Sequence, residues 1–155
     1  MSELRVPTVA LAAEVRCGDG RVFSGRIFVP TAASHHSGPM RPEEWINEPA
    51  VFFPFLPDRE EAPVLLNKKE VVAVTLTSPP SEEELAPAED GVRKVMIECG
   101  ALRFEGDLRI DMPAGQRRVL DTVNRPERFL TLRTGDRHHL VHKRHITRVL
   151  ERKGL

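Results

Sequence analysis

The chain of 155 residues has no tyrosine, one tryptophan and two cysteines, and its basic residues equal its acids, 23 against 23. Each scarcity excludes something. Two cysteines cannot build the several-bridge framework of a small disulfide scaffold. No apolar run approaches the roughly 20 residues with which a helix crosses a bilayer. Few aromatics leave little on which to stack unpaired bases. A signal peptide is not expected, because MSELRVPTVALAAEV carries Glu3 early and little basic charge before its apolar stretch. A cytoplasmic location is therefore expected. Nor is there a glycine-rich phosphate loop, a nucleophile elbow, or a pair of acids spaced for a common pocket. No enzymatic activity and no cofactor are expected. What is present, 40% hydrophobic and 30% charged residues, is the composition of an ordinary globular chain.

One block is written twice. Arg41, Glu44, Asn47, Pro49, Phe52 and Phe55 return in order and at identical spacing as Arg118, Asp121, Asn124, Pro126, Phe129 and Leu132. Upstream, Cys17, Phe23 and Gly25 align with Cys99, Phe104 and Gly106. Downstream, Asn67-Lys68-Lys69-Glu70-Val71 matches His142-Lys143-Arg144-His145-Ile146. Such self-similarity marks an internal duplication, and it divides the chain into residues 1–76, a linker over 77–92, and residues 93–155. The linker, rich in proline and acid and without a basic residue from Thr77 to Gly91, reads as solvated. Each unit is near the size at which a domain alone is marginal, so the two are expected to pack on each other. The balanced charge is also segregated: residues 101–155 hold 13 Lys/Arg against 7 Asp/Glu, and residues 1–100 hold 10 against 16.

Strict alternation over Arg21 to Val29 and Leu102 to Ile110 predicts strands, each with a mid-strand glycine suited to a bend or a close backbone approach. The Arg-x-x-acid-x-x-Asn block predicts a short helical turn in which Arg41 pairs with Glu44, and Arg118 with Asp121. Asn47 and Asn124 suit its left-handed end, with proline two residues on preventing continuation. Strands are then predicted at Ala50 to Leu56, Val64 to Leu76, Arg128 to Arg133 and His138 to Leu150, the longer ones broken at the polar corners 67–70 and 142–145. The expected fold is mainly β: two tandem small five-stranded β-barrel-like units, each with one short helical turn, packed as a pseudo-dimer.

The pattern Asp19-Gly20-Arg21-x-Phe23-x-Gly25-x-Ile27 resembles the first strand pair of Sm-like and SH3-like barrels, and the polar corner before Val71 or Ile146 resembles their last tight turn. The wider block is similar to a family of uncharacterised small bacterial β domains. The resemblance implies a small-barrel scaffold. It departs from the Sm pattern in placing the helical turn between the second and third strands and in lacking a match to the RNA-binding loop residues.

Differences between the copies supply the candidate sites. The first copy alone has the long loop Thr31 to Met40, the insertion PDREEAP, and Trp45 where the second has Thr122. A protein interface is expected around His35, His36, Pro39, Met40, Trp45 and Phe53, since Trp and Met are over-represented at interfaces. An unidentified protein partner is therefore the leading expectation. The alternative is nucleic acid, bound by a basic surface of Arg117, Arg125, Arg133, Arg137, Lys143, Arg144 and Arg148. His138, His139, His142 and His145 are the densest group of possible metal ligands. Period two splits them between opposite faces of a strand, so no metal site is expected.

Overall fold

Period-two alternation becomes ten antiparallel strands in the computed structural model, whose described residues are 7–33, 38, 40–77, 91–110 and 118–152. In chain order these are β1 (Thr8–Cys17), β2 (Val22–Pro30), α1 (Pro42–Ile46), β3 (Phe52–Pro57), β4 (Val64–Asn67), β5 (Val71–Thr77), β6 (Val92–Cys99), β7 (Leu102–Arg109), α2 (Val119–Val123), β8 (Phe129–Thr134), β9 (Arg137–His142) and β10 (Arg148–Arg152). Short 3-10 turns at Lys68–Glu70 and Lys143–His145 break the two long segments at the predicted corners.

The strands make one sheet in the order β10-β6-β7-β8-β9-β5-β1-β2-β3-β4. It does not close on itself. The ladder joining the two halves is β5 on β9, with Ala73 opposite Val141 and Thr77 opposite Arg137. β5 is thereby committed to β1 on one side and β9 on the other, which leaves β4 without it and makes β4 and β10 the sheet's edges. Closed barrels, expected from strand number and bend, are therefore not formed by the described hydrogen bonding. The sheet continues from one half into the other.

Local details agree between the halves. Lys68 N–H donates to Val51 O and Lys143 N–H to Arg128 O, each at 2.9 Å. The Lys68 ammonium caps Glu48 O at 2.8 Å, and that of Lys143 caps Arg125 O at 2.6 Å. Burial lowers the pKa of both lysines. The predicted helical-turn pairs form in two ways. Arg118 grips Asp121 through Nε and Nη2 at 2.9 and 3.0 Å. Glu44 instead accepts the Arg41 backbone N–H at 3.0 Å, with the Arg41 guanidinium farther off at 3.9 Å.

The asparagines differ from expectation. Asn47 and Asn124 have φ of −89° and −93°, outside the left-handed region. Asn47 spends its side chain otherwise, donating to Glu43 O at 2.8 Å and accepting the Phe129 N–H at 2.9 Å. Asn124 is exposed and keeps the same conformation, its backbone N–H donating to Leu120 O at 3.3 Å, so the right-handed end does not depend on the side chain's partner.

Two apolar clusters result. One gathers Val15, Ile27, Trp45, Ile46, Phe53, Phe55, Val71, Val74 and Leu76. The other gathers Val95, Ile97, Phe104, Leu108, Leu130 and Leu132. The joining strands serve both, because alternate side chains of a strand face opposite ways. β9 sends Leu140 into the first cluster and Val141 into the second; in β5 a register shift against Arg16 and Cys17 interrupts the alternation, so that Val71 and Val74 join the first cluster and the consecutive Val72 and Ala73 the second. Cys17 and Cys99, free thiols, are buried, one in each cluster. Burial raises both thiol pKa values, that of Cys99 to about 11, so neither thiol is activated.

Candidate interaction surface

Of the interface expected around Trp45, the three residues described, Met40, Trp45 and Phe53, are buried or half-buried. The Trp45 indole is only 8% exposed and packs edge-on against Phe53, itself 3% exposed, at 5.2 Å between ring centroids. Met40 is half-buried against the same cluster. This is a correction: Trp45 and Phe53 are core residues, the indole filling space that Thr122 does not fill in the other half. His35, His36, Pro39 and Arg117 lie outside the described residues.

Apolar surface appears instead one residue away. Phe52 is 51% exposed, and Val51, Val64 and Leu65 are 49%, 43% and 68% exposed. β3 and β4 pair with Pro54 opposite Leu65 and Phe53 opposite Leu66. Period two thus turns Phe53 and Phe55 inward and leaves Phe52 and Pro54 outward. β4 is an edge strand, so Phe52, Pro54 and Leu65 on one face, and Val64 opposite Phe55 on the other, border a backbone rim with no further strand beyond it among the described residues. Long apolar edges are rare because they invite another strand. An acidic loop, with Asp58, Glu60 and Glu61 exposed, leads into β4.

The basic surface is largely engaged. Arg148 makes a two-pronged bond to Glu98 at 2.6 and 3.0 Å. Arg125 pairs with Glu127 at 3.2 Å, and Arg133 donates to Gly135 O at 3.4 Å. Arg144 and Arg137 are exposed, Arg137 beside a shallow depression lined by Glu14, Arg26 and Asp58. The arginines therefore do not form one uninterrupted cationic stripe. A groove of about 420 Å³ runs between α1, β7 and β8, where Arg41, Arg109 and Arg133 are interleaved with Glu43, Asp107 and Glu127. Its mixed charge suits no single ionic ligand.

The histidines line the seam between the halves, which sequence spacing did not reveal. His139 Nδ1 meets Thr75 Oγ across the β5–β9 ladder at 2.9 Å. His145 Nε2 reaches Lys69 O at 2.8 Å. His142 stacks on Phe129, with 4.5 Å between centroids and 15° between planes. Among the described residues no three His, Cys, Asp or Glu side chains gather to hold a metal ion. Among the described residues, too, no helix is long and apolar enough to cross a membrane.

Asn47 ties α1 to β8 at this seam. Asn47→Ala is expected to cost about 2 kcal/mol, because it leaves the N–H of the buried Phe129 without its acceptor. Asn124, exposed, is expected to tolerate alanine within about 0.5 kcal/mol. Urea unfolding of the two variants measures the difference, and equal losses would contradict the assignment. Nothing among known protein families, curated proteins or solved structures matches this chain.

Proposed function

We propose that the chain is a non-enzymatic adaptor or regulatory subunit that works in the cytoplasm through protein–protein contacts, built from two tandem β units, 1–76 and 93–155, distantly similar to small Sm-like and SH3-like barrels. The observation that carries the reading is the apolar edge: Val51, Phe52, Val64 and Leu65, all more than 40% exposed at the open β4 rim. Exposed apolar patches beside unpaired strand edges mark docking sites, where main-chain bonds supply affinity and side-chain pockets supply specificity. The agreement of backbone and lysine hydrogen bonds between the halves supports the two-unit reading. Nucleic-acid binding is disfavoured, because Arg125 and Arg148 hold carboxylates already and Phe53, Phe104 and Phe129 are buried.

Phe52→Asp with Leu65→Asp should abolish recovery of protein partners in a quantitative pull-down while far-UV circular dichroism stays unchanged. Undiminished recovery would remove the edge from the proposal.

A further inference from the structure

The β5–β9 seam shows how an edge like β4 is covered, since the same chain carries that edge twice. By the sequence correspondence, β9 is the counterpart of β4 and β10 the counterpart of β5. Phe52, Leu65, Leu66 and Asn47 correspond to Phe129, Leu140, Val141 and Asn124. Where the seam is made, Phe129 is 2% exposed and Leu140 and Val141 are fully buried. At the free edge, Phe52 is 51% and Leu65 68% exposed. The same positions are thus core at the central seam of the sheet and surface at its β4 edge.

The opposite end is bare in the complementary way. Val71 and Val74 of β5 are fully buried and pack in a cluster with Phe129 and Leu140 of the other half. Their counterparts Ile146 and Val149 are only partly buried. Leu120 of α2, in the position of Glu43 beside the seam, is 57% exposed. Asn47 accepts the Phe129 N–H across the seam, whereas Asn124 is exposed. Of the seven exposed large apolar residues among those described, Val51, Phe52, Val64 and Leu65 lie at the β4 end, and Leu120 lies on α2, the counterpart of the helix α1 that flanks the seam.

We propose that β10 of one chain pairs with β4 of a second copy in the manner of the β5–β9 seam, continuing the sheet head to tail from molecule to molecule. Resting on the protein-contact reading above, this names the partner as a second copy of this chain. Carrying the seam's antiparallel register across places Arg148 opposite Leu66, Val149 opposite Leu65 and Leu150 opposite Val64. Pro63, with no N–H, ends the ladder opposite Glu151. Beyond it, Arg152, which holds Glu105 at 2.7 Å within its own chain, follows toward Glu61 and Glu60 of the acidic loop and would exchange or share that carboxylate. Phe52 and Leu65 of the second copy cover Ile146, Val149 and Leu120, and Asn124 takes the Phe52 N–H. The contact uses different surfaces on its two sides, so repetition produces a closed assembly when its rotation closes and a filament when it does not.

Cross-linking tests the register directly. Leu65→Cys and Val149→Cys are made in separate full-length chains, mixed, and oxidised mildly. The mixture should give a disulfide-linked pair that neither variant gives alone, because cross-strand neighbours bring their Cβ atoms within about 5.5 Å. A Leu65→Cys chain that links to itself as readily indicates β4 meeting β4 and overturns the proposal. So does a mixture that links no better than its components. Sedimentation of the wild-type chain should show species larger than the monomer, with Leu65→Glu weakening assembly about tenfold or more. Asn124→Ala, which leaves the fold intact, should weaken assembly as well. A monomeric wild type that still captures another protein through Phe52 and Leu65 removes the second copy and leaves the adaptor reading standing. A wild type that neither assembles nor captures removes both.

Discussion

Gly25→Ala is expected to lower stability by about 3 kcal/mol or more, because among the glycines described an added methyl meets the closest backbone here. β2 crosses β3 so closely at this point that a Cβ on Gly25 would lie inside the Leu56 carbonyl oxygen, 2.8 Å from the Phe55 ring and 2.9 Å from the Leu56 carbonyl carbon. Backbone cannot rotate out of the way as a side chain can. Gly25 pairs with Ala13 on one side and Pro57 on the other, so movement would disturb two ladders. The equivalent Gly106 is less constrained. Its Cβ would meet Arg133 O at 2.5 Å and Thr134 Oγ at 2.6 Å, and the threonine can change rotamer. Thermal unfolding should place Gly25→Ala about 6–12 °C below wild type, with Gly106→Ala between the two. A Gly25→Ala protein as stable as wild type would show that the strands need not approach so closely.

Acid should weaken the fold well before its carboxylates titrate. Burial holds the His142 imidazole down at about 4, against the ordinary 6.5, and the neighbouring His145, Arg144 and Arg128 act in the same direction while a bond with the Val71 backbone opposes them. Between those two values the unfolded chain binds a proton that the folded chain refuses. Stability is therefore complete above about pH 6.5, falls as pH drops through this window, and levels off near pH 4. The full effect is about 3 kcal/mol, of which about 2 kcal/mol should be lost between pH 7 and pH 5. His139, also lowered by burial, adds to the slope. Glu98, Asp121 and Asp19 have lowered pKa values, from ordinary values of 4.5 or 3.8, so their contributions are lost only in stronger acid. His142→Phe retains a ring to stack on Phe129 and removes the titration. Urea midpoints at pH 5 and pH 7 should differ for wild type and converge for the variant. A wild type indifferent to pH across this range would place His142 in water rather than in the seam.

The strands were legible because period two is a local property. Arg21 to Val29 alternates in sequence, and β2 buries Gly25, Ile27 and Val29. The corners at Asn67 and His142 were legible through polar residues interrupting an apolar run. Trp45 was misread for the opposite reason. Its absence from the second copy suggested an exposed site, yet the two halves pack differently around α1, and the indole fills the first cluster. Phe52 and Leu65 are not marked as surface by the sequence because both FFPFLP of β3 and the Val64-Leu65-Leu66 run of β4 are apolar without alternation, a pattern usual for a strand covered on both sides. In this chain β4 is an edge and β3 stands next to it. The histidines, expected only to divide between the two faces of a strand, line the seam.

The amino-acid sequence by itself determined the repeated block, the mainly β character, the positions of most strands and the place where each long strand breaks. All of these depend on residues close together in the chain. Only the tertiary structure decided that β5 would pair with β9, a contact such as Thr75 with His139 spanning 64 residues, and so which strands would be left at the edges. A β ladder is made by backbone groups that every residue but proline carries, so strand pattern specifies which face is buried without specifying which neighbour lies alongside. Long-range packing makes that choice, and with it whether the same phenylalanine position is core, as at Phe129, or surface, as at Phe52.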